Sequence, residues 1–179
     1  GDGYVDWKTF NHPQFGEIEV GGSKKNYIRN HPGFMLQEDA HRNMAFTLYH
    51  AYQTPKLEIV DIKTEKLSGD LVAVTATIMN TRIIPTHSTH DVKNKIERPN
   101  YITLKGNNVV AGMTVQNEDL NLFTEQKYRP EQIEVPNIGG MGSVKVRWIV
   151  KGNPSNATVE VSSVKGGVIA EKVAEKASK

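Results

Sequence analysis

The chain has 179 residues, 37% of them hydrophobic, and a net charge of +2 from 22 basic and 20 acidic side chains. That length can bury a substantial core, enough for one domain or one domain plus a docked segment. The charges are interspersed, so the basic stripe of a nucleic-acid surface is missing. The absence of cysteine excludes disulfides, thiolate metal sites and a cysteine nucleophile. No apolar run approaches the roughly 20 residues of a membrane-spanning helix.

Gly1-Asp2-Gly3 reads as an artificial boundary, and the chain as a piece of a larger protein. Residues 4–33 set Tyr4, Trp7, Phe10 and Phe15 among turn formers. Glu17-Ile18-Glu19-Val20 then alternates as a short strand ending at Gly21-Gly22. Aromatics this dense in a polar segment imply that it packs on something, either its own domain or a missing partner. Residues 34–52 carry apolar side chains at three- to four-residue spacing, Leu36, Ala40, Met44, Leu48 and Ala51, which predicts one long amphipathic helix with a face to bury. Glu38 and Asp39 favour its first turn, and Thr54-Pro55 ends it.

From Lys56 the period changes from helix to strand. Leu57 and Ile59 alternate with charges before Val60 and Ile62 shift phase, the pattern of a bulged strand. Leu71–Met79 suits a central strand, with Val72, Val74, Ala76 and Ile78 on one face. A loop is expected over 81–99. Shorter strands follow at 101–104, 109–115 and 133–135, and the clearest at 144–150, where Val144, Val146, Trp148 and Val150 share a face. Segments 158–164 and 168–173 complete about seven short strands, which argue an antiparallel β-sandwich of immunoglobulin-like type. The expected organisation is an extended segment and adaptor helix over 1–55, a β-sandwich over 56–173, and a disordered tail over 174–179.

The stretch Trp7, Phe10, His12-Pro13, Phe15-Gly16-Glu17-Ile18-Glu19-Val20-Gly21-Gly22, followed by Asn30-His31-Pro32, the helix, Ala51 and Pro55, resembles the late region of large bacterial M14-family zinc carboxypeptidases. Asn80-Thr81, Pro85-Thr86 and the Val144–Gly152 segment are also similar, so the likeness runs from about Trp7 to Val168. The resemblance implies a non-catalytic C-terminal portion of a metallopeptidase whose catalytic domain lies upstream. That domain of the same polypeptide would be its partner and would hold the zinc, leaving this chain without a cofactor. Periplasmic or extracellular location is implied as well. Trp7, His12, Phe15, Gly16, Glu19, Gly21 and Gly22 are its interface and motif residues.

No catalytic constellation emerges from the residues. Zinc needs three protein ligands and an open position, yet none of the six histidines has glutamate three residues on, and HExxH is absent. His41 and His50 lie nine residues apart at about 100° each, on opposite helix faces. His12 and His31, each before a proline, read as turn caps. His87-Ser88-Thr89-His90-Asp91 is the one compact cluster, with His87 and His90 as weak metal candidates in what reads as a solvated loop. Glu17 and Glu19 share a strand face and read as edge-strand solubility. Gly139-Gly140-Met141-Gly142 lacks a phosphate loop's lysine, and Asn156-Ala157-Thr158 fits a glycosylation sequon. An independent glycan- or cell-surface-binding module is the alternative function, with Tyr101, Phe123, Tyr128 and Trp148 as possible platform rings.

Overall fold

The computed structural model describes residues 3–29 and 32–173. His31 and the expected tail at 174–179 lie outside the described residues. The chain divides into two compact units, Gly1–Tyr52 and Gln53–Lys179.

In the first unit, β1 (Tyr4–His12) and β2 (Gly16–Ser23) form an antiparallel two-stranded hairpin. Only β2 was expected. The register of β1 slips between Val5 and Lys8, and this bulge breaks the alternation that would have marked a strand. A short helix, α1 (Lys25–Arg29), and the long α2 (Leu36–Tyr52) follow. The expected face to bury is not buried: no residue of α2 is.

The second unit holds two antiparallel sheets. One has the order β3 (Leu57–Lys66), β4 (Leu71–Asn80), β9 (Ser143–Lys151), β6 (Asn108–Asn117), β7 (Leu122–Glu125). The other has the order β11 (Gly167–Lys172), β10 (Thr158–Ser163), β5 (Asn100–Lys105), β8 (Gln132–Val135). They share one core, consistent with a β-sandwich. Ile59, Val74, Ile78, Val146 and Trp148 come from the first sheet, and Ile102, Leu104, Ile133, Val159 and Val161 from the second. Alternation places them there: successive strand residues face opposite ways, and each sheet turns its apolar set inward.

The bulge expected in β3 falls between Ile59 and Asp61, which lets Ile59 and Ile62 both face the core while Val60 is exposed. Trp148, fully buried at 0% exposure, donates its indole N–H to the Glu131 carbonyl at 3.2 Å. Opposite it on β6 stands Gly112, where a Cβ would lie 2.0 Å from the Pro130 carbonyl oxygen. A glycine is required there by close backbone approach rather than by its dihedral freedom.

The segment expected as a loop over 81–99 contains α3 (Thr89–Asn94). Ser88 caps it, its hydroxyl accepting the Asp91 N–H at 3.1 Å, and Lys95 closes it in the left-handed region at φ 51°.

Trp148→Ala should lower unfolding free energy by roughly 3–5 kcal/mol. Val60→Ala, at the exposed bulge, should stay within about 0.5 kcal/mol. Urea midpoints measure both, and comparable losses would contradict a core centred on Trp148.

Candidate functional site

Two groups of residues bear on function, one in each unit. The first is the cluster around α3. Thr86 and Asn100 are fully buried between the sheets. The Thr86 hydroxyl accepts from the Ile138 N–H at 2.9 Å and from Asn100 Nδ2 at 3.0 Å. Asn100 Nδ2 also donates to the Val135 carbonyl at 3.0 Å. These bonds pin the segment leaving β4 beside β8. The backbone N–H of His87 donates to Asn137 Oδ1 at 3.0 Å.

His87 is buried, contrary to the solvated loop expected. Its Nε2 lies 3.0 Å from the Arg98 carbonyl oxygen, which only accepts, so Nε2 carries the proton. Nδ1 faces the Thr86 hydroxyl at 3.2 Å. His90, by contrast, is exposed on α3, where Asn94 Nδ2 donates to its carbonyl at 2.9 Å.

Asp91 is buried as well. Its Oδ1 accepts the Glu97 backbone N–H at 2.9 Å, and its Oδ2 lies 3.4 Å from Lys165 Nζ. Lys165 Nζ is also 2.9 Å from Glu97 Oε2. The Glu97 N–H, with help from Lys165, holds the Asp91 carboxyl below its ordinary 3.8 despite the opposing effect of burial. Glu97 and Asp91 in turn raise Lys165 above its ordinary 10.5.

Ligand atoms of His87, Asp91 and Glu97 all lie within 4.8 Å of one another, close enough to consider a metal. Asp91 and Glu97, and not the exposed His90, are the groups brought beside His87. His87 Nε2 donates its proton to the Arg98 carbonyl and Nδ1 faces the Thr86 hydroxyl, while the Lys165 ammonium already lies against both carboxylates. The arrangement is a tie between α3 and the β10–β11 turn. A cavity of about 560 Å³ opens beside it, with Val92, Pro99 and Pro136 among its walls and Glu134 at its lining. Glu97 and Lys165 were not singled out from the sequence, because their pairing spans 68 positions. The S-x-x-D spacing of Ser88 and Asp91 was the readable signal for α3.

The second group is the hairpin motif. A Cβ on Gly21 would sit 2.6 Å from the Trp7 Cα, and the Trp7 ring covers Gly22 at 3.5 Å from its would-be Cβ. The bulged β1 thus needs glycine across from Trp7. His12 Nδ1 accepts the Gln14 N–H at 3.1 Å, the turn-capping role expected of it, and its ring stacks 4.9 Å from that of Phe15. Gly16, at φ 71°, closes the turn. Glu17 and Glu19 are exposed on one face, with Ile18 and Val20 half-buried on the other. Trp7 and Phe15 are 61% and 74% exposed.

The possible platform rings do not converge. Trp148 is core; Tyr101 lies on the four-stranded sheet under Arg98, and Phe123 on the five-stranded sheet under Arg147. Tyr128, on a loop, is highly exposed.

The second unit is therefore an antiparallel β domain with a buried polar cluster beside α3. A family model described as Domain of unknown function (DUF8731) matches residues 56–174, about two thirds of the chain, and the chain belongs to that family. No curated protein and no solved structure matches it.

The pH dependence of the tie follows from its charges. Asp91, with its folded value depressed, contributes stability that is full above about pH 4 and lost as pH falls through the folded value. Lys165, with its value raised, contributes below 10.5 and loses that contribution as pH climbs past its folded value. Lys165→Met should therefore destabilise the domain at pH 7, and the gap to the unmodified chain should narrow below pH 3.8. Chemical denaturation at pH 7 and 3 measures it; an equal gap at both would show that the ion pairs contribute nothing.

Proposed function

We propose that this chain is the non-catalytic C-terminal accessory portion of a zinc carboxypeptidase resembling the M14 family. Residues 1–55 complete or dock on an upstream peptidase domain, residues 56–173 form the β-sandwich, and the whole portion stabilises the peptidase domain or shapes its contacts with substrate and partners. The observation that carries this reading is the state of the first unit. A two-stranded hairpin is marginal in water unless a third strand or a helix covers it. Here Trp7, Phe10, Phe15, Met44, Leu48 and Tyr52 are all exposed, and α2 buries nothing. Such a segment is built to be covered by something else.

The immunoglobulin-like type is part of the proposal. The orders β3-β4-β9-β6 and β5-β10-β11 follow the two sheets of a constant-type immunoglobulin domain, with β7 and β8 as additions. The zinc, and with it the hydrolysis, belongs to the upstream domain, and export to the periplasm or the exterior goes with the same resemblance. The role of the β domain is then mechanical: a rigid body held by its own core. An independent glycan-binding module is supported only by the exposed Tyr128 ring.

Peptidase activity of this chain, assayed with and without zinc beside a protein extended upstream through a catalytic domain, tests the reading. Only the longer protein should release C-terminal residues. In it, Trp7→Ala should weaken thermal stability, whereas the same change in the 179-residue chain should leave the β domain's melting temperature unmoved. Zinc-dependent activity in the short chain would overturn the accessory role.

A further inference from the structure

We infer that the cavity lined by α3 and β8 binds a small zwitterion with an apolar body, an α-amino acid or a dipeptide with both ends free. This adds a binding role to the mechanical one and does not depend on an upstream domain, since all the lining residues lie in the second unit. The space measures about 560 Å³, inside the roughly 300–1,000 Å³ of pockets that enclose small molecules. Val92 of α3 and its cap Lys95 form one side. Pro99 precedes β5, Glu134 lies on β8 with Pro136 just after it, and Gln126 follows β7.

The lining defines the ligand. Asp91 and Glu97 are already answered by Lys165 Nζ, at 3.4 and 2.9 Å, and the His87 Nε2 proton goes to the Arg98 carbonyl. Two charged groups of the lining remain, Lys95 and Glu134, and neither has an ion pair among the described residues. Lys95 holds the left-handed region at φ 51°, where glycine is the easier residue, so a lysine side chain stands at this cavity at a backbone cost. A ligand with a single charge would satisfy one group and bring a like charge toward the other. The occupant therefore carries both, a carboxylate for Lys95 and an ammonium for Glu134. Gln126 adds an acceptor: its Nε2 donates to the Tyr128 carbonyl at 3.0 Å, which leaves Oε1 with only a long 3.5 Å contact to the Glu134 N–H. Val92, Pro99 and Pro136 carry no side-chain donor or acceptor, which suits an aliphatic body.

Amide-resolved NMR titration of the 179-residue chain with L-leucine and with leucyl-leucine, each to about 10 mM, tests this. At least one of the two should shift the Val92, Lys95, Gln126 and Glu134 amides in a saturable way. Lys95→Met and Glu134→Gln, both at exposed positions, should each weaken that binding roughly tenfold with little change in melting temperature. Capping the ligand separates its two ends. N-acetylation, which removes the ammonium, should weaken binding to the unmodified chain about tenfold and to the Glu134→Gln variant little; C-terminal amidation should do the same with Lys95→Met. Absence of a shift with both probes, or equal shifts when Lys95 and Glu134 are both replaced, would overturn the inference. Capped ligands that bind as well as free ones would overturn it too.

Discussion

The burial of Trp148 between two antiparallel sheets is the contact on which the β domain depends. Opposite it on β6 stands Gly112, against which the Pro130 carbonyl packs, and the indole N–H reaches the carbonyl of Glu131 just before β8. Apolar residues of both sheets close around it in one cluster. Once that core is dry, backbone groups passing from sheet to sheet must be paired inside it, because an unpaired buried polar group costs about 1–3 kcal/mol. Thr86 and Asn100 meet that requirement where the chain crosses beside β8.

The cluster of His87, Asp91, Glu97 and Lys165 continues the same logic toward the surface. A histidine and two carboxylates within ligand reach would ordinarily invite a metal. Here the Lys165 ammonium lies against both carboxylates, while the His87 ring donates from Nε2 to the Arg98 carbonyl and turns Nδ1 to the Thr86 hydroxyl. The cluster ties α3 to the β10–β11 turn, within the β domain that the matching family model covers.

The strands that bury one face were legible where period and burial agree. Val144, Val146, Trp148 and Val150 alternate without interruption, and the phase shift at Val60 marked the β3 bulge correctly. β1 was hidden because its bulge at Asp6 and Trp7 destroys the period-two pattern. α3 was hidden because His87-Ser88-Thr89-His90-Asp91 is polar throughout, and a cap without an apolar stripe resembles a loop. His87 could not be known as buried, since its partners Asn137 and Arg98 are brought to it only by the fold. For α2 the sequence indicated an apolar stripe, and no buried side chain answers it.

Residues from 53 onward hold the buried core, and among the described residues the first unit adds no buried apolar side chain to it. Calorimetric unfolding of the 179-residue chain beside residues 53–179 measures whether the β domain stands alone: one transition of the same midpoint and enthalpy is expected in both. An enthalpy larger by roughly 35 kcal/mol in the full chain, the increment expected if some fifty further residues melt as part of a folded body, would contradict it.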